Sequence, residues 1–422
     1  MKSIIQSVSV CGLGKLGACI AATSADRGFR VVGIDVDAQK VEALNRGLPP
    51  VDEPLLAETI TRAKSRLSAS TDPAAAVETD ATFFIPPSPS LPDGSFSTEF
   101  LLRAMQSVAA AVKKAGKKNH LFVCSSTTTP GAVDKILIPM LEKELEGKVG
   151  QDFGMIYNPE FIALGDVVRG LLNPDFVLVG ESDSASGDRI EEFYTRYCQN
   201  RAPVRRMSNI SAELCKISVN AYVTMKISFT NQLRLIAQGL GADPEVILNA
   251  LGQDTRIGAK YLRPGLSYGG PCFPRDNRLL AWAAKQAGVR AYLAEATDSV
   301  NEAAKADLFE RVKQATPAPG PVAILGMAYK PNTYITEESA GLHLAQQLKR
   351  GGYRVLAHDV HSNPTNSPVL HEFELLPDPN DGNSWKGVAA VVICCPWPQY
   401  ANLPIPPTVR RVSAWSIPAS GK

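Results

Sequence analysis

Short apolar runs alternate with amphipathic stretches through the first half of the chain. The runs predict buried strands, because they are bounded by Gly, Pro and polar clusters and are too short for helices. They are Val8 to Cys11, Arg30 to Ile34, Ala81 to Ile85, His120 to Cys124 and Phe176 to Gly180. Buried strands that alternate with helices favour a parallel sheet covered by helices on both faces. We therefore expect an α/β domain over residues 1–205.

A glycine-rich turn joins the first of these strands to a predicted helix, Ala18 to Arg27. Gly12, Gly14 and Gly17 form the pattern G-x-G-x-x-G, and Asp35 lies at the tip of the second strand. Such glycines permit a tight turn and let a pyrophosphate approach the N-terminus of the helix. The carboxylate would accept ribose hydroxyls and repel a 2′-phosphate, which favours NAD over NADP. The alternative is a glycine-rich turn in an unrelated α/β fold.

The pattern changes after residue 205. The segment from Ser211 to Gly239 has no internal Gly or Pro, and its apolar positions suit one long helix with Ser211 as N-cap and Glu213 in the first turn. At 1.5 Å per residue this helix spans ~40 Å, which is too long for a small domain. Such a helix joins domains or packs against a second subunit. We therefore expect a helical central domain over residues 206–304 and a homodimer formed through the long helix.

A second strand–loop–helix–strand unit follows the hinge-like segment Thr316 to Pro321. Val322 to Leu325 and Tyr353 to His358 predict strands, and Ser339 to Arg350 predicts the helix between them. The unit lacks the full glycine pattern, so residues 305–422 are expected to bind something other than a dinucleotide. The predicted fold class is α/β, with two Rossmann-like doubly wound parallel-sheet domains joined by a helical central domain with a long connecting helix.

Composition excludes several classes of function. The chain has 44 Lys and Arg against 42 Asp and Glu, a formal net charge of +2, which gives no electrostatic footprint for nucleic acid or an anionic membrane. No apolar run approaches the ~18–20 residues of a membrane helix. Eight cysteines without a CxxC pair predict neither a disulfide framework nor a zinc site. Four of the five histidines lie in the last quarter of the chain, so catalytic work earlier in the chain must use other groups. We expect a cytoplasmic protein.

One cysteine has unusual neighbours. Gly269, Gly270, Pro271 and Pro274 surround Cys272 and place its thiol on a rigid turn with little side-chain bulk around it. A nucleophilic thiolate beside an NAD site can trap an aldehyde as a thiohemiacetal, which is then oxidised to a thioester. Buried, inert thiols are expected instead at Cys11, Cys19, Cys198, Cys394 and Cys395.

Lys216 and Asn220 are four residues apart on the predicted long helix and share a face. An ammonium and an amide side by side can stabilise an oxyanion. From spacing alone, a solvated lysine on an amphipathic helix is the alternative. Asp276, four residues after Cys272, could hydrogen-bond a water or orient Lys216, or it could be an ordinary surface carboxylate.

Several segments, in order along the chain, resemble the UDP-glucose/GDP-mannose dehydrogenase family. The resemblance runs from the glycine-rich turn to at least residue 360, and the Tyr-Gly-Gly-x-Cys-Phe-Pro form is most similar to the UDP-glucose 6-dehydrogenases. The segments are Asn158 to Phe161, Asn173 to Asp175, Glu213 to Lys216, Asn220-Ala221, Lys226 to Asn231, Arg256 to Gly258, Tyr268 to Asp276 and Lys330-Pro331.

The resemblance implies a four-electron oxidation of a sugar C6 alcohol to a carboxylate, with two NAD⁺ used in turn at one site. UDP-glucose would be converted to UDP-glucuronate. The implied catalytic groups are Cys272 as nucleophile, Lys216 and Asn220 as oxyanion stabilisers, and Asp276, Thr127 and Glu160 for the water. The implied cofactor contacts are Gly12, Gly14, Leu16, Gly17, Asp35, Ser88, Thr127 and Lys330. The implied substrate contacts are Phe161, Lys216, Asn220, Arg256 (toward the neighbouring subunit), Tyr268, Gly269 and Lys330.

The chain departs from the family pattern at three positions. Leu164 replaces a glutamate that assists thioester hydrolysis, Glu337 replaces an arginine, and Arg275 replaces a lysine. The first departure bears on the rate of the last step, and the second bears on the choice of substrate.

Three alternatives stay open. One is the same chemistry on UDP-N-acetylhexosamine or GDP-mannose. Another is a two-electron hydroxyacid dehydrogenase, whose superfamily also places Lys and Asn on a long helix after a Rossmann domain. That alternative leaves the Cys272 turn and the last domain unexplained. The third is a catalytically silent NAD or sugar-nucleotide sensor, which Leu164 favours and the retained Lys216, Asn220, Cys272 and Asp276 oppose.

Overall fold

The computed structural model describes residues 4–316 and 319–414. These residues form two compact units, one ending at Ile217 and the other beginning at Ser218. The predicted hinge includes Pro317 and Ala318, which lie outside the described residues. The domain boundaries proposed from the sequence, 1–205, 206–304 and 305–422, stay a prediction.

The first unit is built on a sheet of eight strands within residues 4–217. The strands are β1 (Ser7–Cys11), β2 (Arg30–Ile34), β3 (Leu67–Ser70), β4 (Ala81–Phe84), β5 (His120–Cys124), β6 (Phe153–Tyr157), β7 (Val177–Glu181) and β8 (Val204–Ser208). Their spatial order is β3-β2-β1-β4-β5-β6-β7-β8. The first six strands are parallel, in the order of a dinucleotide-binding fold. Strand β7 is antiparallel to β6 and parallel to β8, a reversal that the sequence did not predict.

Helices cover both faces of this sheet. They are α1 (Lys15–Asp26), α2 (Ala38–Asn45), α3 (Leu56–Ala63), α4 (Glu99–Lys114), α5 (Ile138–Leu145), α6 (Val167–Leu172) and α7 (Ser184–Tyr197). Successive strand residues enter different cores, because side chains alternate across a strand. Phe83 belongs to the core under α1, and its neighbour Phe84 belongs to the core under α4. The sheet is therefore packed on both faces, against the core under α1 on one side and the core under α4 on the other.

The predicted long helix is α8 (Asn209–Gly239). It begins two residues before the predicted N-cap and has no acidic residue in its first turn, so the predicted places of Ser211 as N-cap and of Glu213 in the first turn are both wrong. The physical reason is that β8 ends at Ser208 and the chain turns directly into the helix, which leaves Ser211 inside the first turn with its hydroxyl 2.8 Å from that of Ser208. Three helices follow, α9 (Pro244–Gln253), α10 (Phe273–Gln286) and α11 (Tyr292–Ala315).

The second sheet repeats the order of the five strands β1 to β5 of the first sheet. Its strands are β9 (Val322–Leu325), β10 (Val355–His358), β11 (Glu374–Leu375), β12 (Ala390–Ile393) and β13 (Arg410–Val412), and α12 (Ala340–Arg350) follows β9. All neighbours are parallel in the order β11-β10-β9-β12-β13, which matches β3-β2-β1-β4-β5. The predicted α/β class with two Rossmann-like sheets is confirmed. Among the described helices, none is long and apolar enough to cross a membrane.

Candidate active site

The turn after β1 has the shape that a diphosphate requires. A Cβ on Gly12 (φ +99°) would lie 2.9 Å from the carbonyl oxygen of Ile85, and one on Gly17 would lie 1.8 Å from the Gly12 oxygen. Side chains at these positions would push the strand ends and α1 apart. A Cβ on Gly14 would meet no described atom within 4 Å, so the N-terminus of α1 is open. The turn lies where the strand order reverses between β1 and β4, and it fits a dinucleotide.

Asp35 follows β2 beside this turn. Its carboxylate accepts the Leu13 N–H at 2.6 Å on one oxygen and the Asp37 N–H at 2.9 Å on the other. Each oxygen retains a second lone pair for a ribose hydroxyl. The other predicted cofactor contacts of this unit, Leu16 and Ser88, differ in setting. Leu16 is half-buried and packs against the core, and Ser88 lies in the segment after β4.

A second polar group of the first unit surrounds the start of α8. The Lys216 ammonium lies 4.8 Å from the centre of the Phe161 ring, and the Tyr194 hydroxyl donates to Glu160 Oε1 at 3.2 Å. Burial raises the pKa of Glu160 to about 7, against the opposing effects of the Tyr194 hydroxyl and the Lys216 ammonium. A carboxylate with this pKa can accept a proton near neutral pH.

Glu213 is a residue of this group whose role the sequence did not reveal. It is fully buried, and its carboxylate accepts the Thr128 hydroxyl at 2.9 Å and the N–H groups of Gly131 at 2.6 Å and Val133 at 3.0 Å. It thereby fixes the loop that carries Thr127 to the helix turn that carries Lys216. The sequence indicated only an acid in the first helical turn. The sequence feature that could have indicated this role is a carboxylate on the apolar face of the predicted long helix, three residues before Lys216.

Leu164 is half-buried and packs, with Ile162, against the core of the first sheet. The position that holds a glutamate in the family pattern is therefore an apolar packing position here. A leucine side chain cannot accept a proton from water. The nearest carboxylate that precedes it along the chain is Glu160, whose raised pKa suits that role.

The second unit holds the predicted nucleophile. Cys272 is exposed and directly precedes α10, whose N-terminus stabilises a negative charge. One turn further on, the Asp276 N–H donates to the Cys272 carbonyl at 2.9 Å. The Asp276 carboxylate accepts the Asn220 amide at 2.6 Å, and both side chains are buried. This hydrogen bond pairs Asp276 with Asn220, and its suggested action on Lys216 stays a prediction.

The five cysteines that were predicted to be inert fit that prediction. Cys11, Cys19, Cys198, Cys394 and Cys395 are buried, as expected, and so is Cys124. Burial raises the pKa of the Cys11 and Cys394 thiols to about 12, which makes them poor nucleophiles at neutral pH. Exposure therefore distinguishes Cys272 from this group.

The predicted substrate contacts of the second unit occupy different environments. Tyr268 is buried, its hydroxyl hydrogen-bonds Asp298 and its N–H donates to Asn301 at 2.8 Å. Arg256 is exposed and forms an ion pair with Asp254 at 2.6 Å. Lys330 lies 5.8 Å from the Tyr329 ring centre, in the loop after β9. Their contacts with a substrate stay a prediction.

Comparison with known proteins identifies the family. Residues 6–198 match the NAD binding domain of the UDP-glucose/GDP-mannose dehydrogenase family, residues 210–303 match its central domain, and residues 323–415 match its UDP binding domain. The chain belongs to the UDP-glucose/GDP-mannose dehydrogenase family. Membership confirms the predicted NAD cofactor and the class of NAD-dependent oxidoreductase.

Individual members of the UDP-glucose/GDP-mannose dehydrogenase family match over most of their length. UDP-glucose 6-dehydrogenase AglM of Haloferax volcanii is 32% identical over 408 residues, 94% of this chain and 93% of the relative. GDP-mannose 6-dehydrogenase of Pseudomonas putida is 31% identical over 357 residues, 83% of this chain and 80% of the relative. The structure of a UDP-glucose dehydrogenase from Pyrobaculum islandicum is 32% identical with a TM-score of 0.90, covering 98% of this chain and 95% of that one.

Proposed function

We propose that this family member oxidises the C6 alcohol of UDP-glucose to the carboxylate of UDP-glucuronate. The observation that carries the proposal is Cys272, an exposed thiol at the start of α10, with the Asp276–Asn220 pair one turn further on. The balanced reaction converts R–CH₂OH, two NAD⁺ and water to R–COO⁻, two NADH and three protons. NAD⁺, when bound, accepts the hydride in each of the two oxidations.

The residues of this chain supply the covalent and proton-transfer steps. The Cys272 thiolate adds to the C6 aldehyde and forms a C–S bond, and the resulting oxyanion is stabilised by the Lys216 ammonium and the Asn220 amide. Loss of a hydride from this thiohemiacetal leaves a thioester on Cys272.

Water then attacks the thioester carbonyl, breaks the C–S bond and releases the carboxylate and the thiolate. Glu160 accepts a proton from this water, because its pKa of about 7 keeps it partly ionised at neutral pH and basic enough to take a proton. Asp276 and Thr127 position the water.

We assign the parts of the reaction to the three predicted segments. Residues 1–205 hold NAD on the Gly12, Gly14 and Gly17 turn, with Asp35 on the ribose. Residues 206–304 carry the nucleophile, and residues 305–422 bind the nucleotide of the sugar. The matches to the family's NAD binding, central and UDP binding domains support this division.

A homodimer through α8 is part of the proposal. Tyr222, Phe229 and Ile236 recur every seven residues along this helix and are 60%, 52% and 51% exposed. A seven-residue apolar repeat suits packing against a second helix. Arg256, which is also exposed, would then reach the sugar nucleotide of the neighbouring subunit.

The cysteines support a cytoplasmic location. All eight are thiols, and six of them are buried in the cores of the described residues. Oxidising compartments favour disulfides, and reducing ones preserve thiols. We therefore propose a reducing, cytoplasmic setting.

The test measures NADH at limiting substrate for purified protein with UDP-glucose, UDP-N-acetylglucosamine, GDP-mannose and a small hydroxyacid. We expect two NADH per UDP-glucose, and no carboxylate product from the Cys272→Ser variant. Two NADH from GDP-mannose alone would mean that GDP-mannose, and not UDP-glucose, is the substrate. GDP-mannose is the second candidate because the Pseudomonas putida relative is a GDP-mannose 6-dehydrogenase. One NADH from the hydroxyacid, or binding of NAD⁺ and sugar nucleotide without turnover, would overturn the proposal.

A further inference from the structure

The turn that carries Cys272 is pressed against the loop between β9 and α12, residues 326–339, called here the β9–α12 loop. The Gly270 N–H donates to the Glu337 carbonyl at 3.0 Å. A Cβ on Gly269 would lie 2.1 Å from the Glu338 carbonyl oxygen, and one on Gly270 (φ +81°) would lie 2.6 Å from the Tyr329 ring. The two glycines are therefore needed for close contact with this loop.

One side chain of the β9–α12 loop fastens the contact. Arg278 donates to Glu338 Oε1 at 2.8 Å, and the Lys305 ammonium lies 3.8 Å from Oε2. Arg278 belongs to α10, which begins directly after Cys272, and Lys305 is a buried residue of α11. The Glu338 carboxylate thus pairs the loop directly with α10 and, at longer range, with Lys305 of α11, whose closer partner is Glu302 at 2.6 Å.

Glu338 is constrained as well as paired. Burial acts to raise the pKa of its carboxyl, but the hydrogen bond and charge of Arg278 and the charge of Lys305 lower it overall. The group is therefore ionised at neutral pH. Its φ of +53° lies in the left-handed region, which a non-glycine residue adopts only when its surroundings hold it there.

The other end of the β9–α12 loop lies at a ligand-binding position of the second sheet. Gly326 begins the loop at the point where the strand order reverses between β9 and β12, and open α/β sheets bind nucleotides at such points. Lys330 lies on the same loop. A phosphate or ribose bound here would contact the loop whose far end holds the Cys272 turn.

We infer that Glu338 is a positioning residue that couples nucleotide binding at the β9–α12 loop to the reactivity of Cys272. The inference rests on the proposed function, in which the last segment binds the nucleotide and Cys272 is the nucleophile. Nucleotide binding holds the loop in one conformation. Through the Glu338–Arg278 pair, the loop then holds the start of α10, and with it Cys272, in a fixed position. Without the pair, nucleotide would still bind, but the reactivity of the Cys272 thiol would not change when it binds.

The experiment measures the rate of Cys272 alkylation by iodoacetamide, from intact mass, with and without saturating UDP. UDP affinity is measured separately by calorimetry, and Cys272→Ser reports background alkylation. In the wild type we expect UDP to change the rate by about fivefold or more, the lower end of ordinary coupling between sites. Glu338→Gln should bind UDP with similar affinity and lose the change in rate.

Glu310→Gln is the matched control, since this carboxylate is exposed on α11 and pairs with Lys313 of the same helix at 3.5 Å. It should keep the UDP response. Arg278→Gln removes the other half of the pair and should behave as Glu338→Gln does, and it replaces that variant if Glu338→Gln does not fold. The double variant should add nothing to either single change.

A UDP response that persists in Glu338→Gln would overturn the inference, because it would mean that bound UDP simply shields the thiol. UDP binding to the wild type without any change in alkylation rate would also overturn it and would leave the proposed function standing. Failure of the wild type to bind UDP or to oxidise any nucleotide sugar would count against the proposed function instead.

Discussion

Asp35 and Asp359 follow the second strand of the first and second sheets, and both accept backbone hydrogen bonds from the turn after the first strand. The Leu13 N–H donates to Asp35 at 2.6 Å, and the Met327 N–H donates to Asp359 at 2.7 Å. An aspartate at this position therefore has a structural role in both sheets. In the first sheet, the aspartate lies beside a turn that also has open space at Gly14, and this open space supports a cofactor role for Asp35.

Asp35→Asn tests that cofactor role. The variant keeps an acceptor for the turn and removes the charge that repels a 2′-phosphate, so the kcat/KM ratio for NAD⁺ over NADP⁺ should narrow by about tenfold, equivalent to about 1.4 kcal/mol. The same change at Asp359 should leave the ratio as it is in the wild type. Equal use of both cofactors by the wild type would contradict the assignment.

Glu160 carries a prediction about pH. The ionised form takes the proton from water, so the rate of thioester hydrolysis should increase as the pH increases through about 7. Glu160→Gln should remove this increase and slow hydrolysis by about 10²–10⁴-fold. Single-turnover rates of carboxylate formation between pH 5.5 and 8.5, a range of about 1.5 on either side of that pKa, would show it.

The raised pKa of Glu160 also predicts that the protein loses stability as the pH increases towards 7. In the unfolded chain a glutamate ionises near 4.5, whereas the folded pKa is about 7. Between these values the unfolded state holds fewer protons, so this group lowers the free energy of unfolding as the pH increases from 4.5 to 7. In Glu160→Gln, the free energy of unfolding should lack this decrease when it is measured by chemical denaturation at pH 4.5 and at pH 7. A profile identical to the wild type would mean that the pKa of this carboxyl is not raised in the folded protein.

At the scale of elements, the loop after β5 and the helix α8 are joined by Glu213. Glu213→Gln replaces one acceptor oxygen with a donor and leaves a buried N–H of Gly131 or Val133 without an acceptor. Such a loss costs about 1–3 kcal/mol, so the midpoint of thermal unfolding should fall. Glu310→Gln, on the exposed face of α11, should change stability by less than about 0.5 kcal/mol. Equal effects of the two changes would contradict the role of Glu213.

The exposed repeat on α8 makes a prediction about assembly. Phe229→Glu places a charge in the middle of the apolar repeat and should convert a dimer to a monomer in sedimentation velocity. Leu375→Glu, at an exposed position on β11, should leave the dimer intact. A wild type that is monomeric at all concentrations would refute the dimer.

Element boundaries could be predicted where the pattern was strongly apolar. Arg30–Ile34, His120–Cys124 and Val322–Leu325 were predicted to the residue. Strand β6 (Phe153–Tyr157) was missed although all five of its residues are buried. Strands β3 and β8 were missed because Leu67–Ser70 and Val204–Ser208 are short and largely polar, so they lack an apolar run. Their partners along the sheet, and not their own composition, make them strands.

In the molecule as a whole, the second sheet repeats the order of five strands of the first, β3-β2-β1-β4-β5, and the sequence indicated this through two separate strand–loop–helix–strand patterns. The contacts that hold the functional groups were not predictable in the same way. Glu213 binds residues 80 to 85 positions away, and Glu338 binds Arg278 across 60 positions. A single sequence carries no periodic signal for such pairs. The residue types were therefore predictable, and their partners were not.

In the proposed mechanism, Cys272 carries a thioester whose hydrolysis limits turnover, because Leu164 cannot accept a proton from the water. Its most direct test mixes the enzyme with excess UDP-glucose and NAD⁺, quenches in acid after one turnover and measures the intact mass. We predict a burst of NADH, a slower steady rate and an acyl adduct on Cys272. The adduct should increase in Glu160→Gln, decrease in Leu164→Glu and be absent in Cys272→Ser. Linear NADH release with no adduct in the wild type or in Glu160→Gln, together with carboxylate formation by Cys272→Ser, would contradict the account.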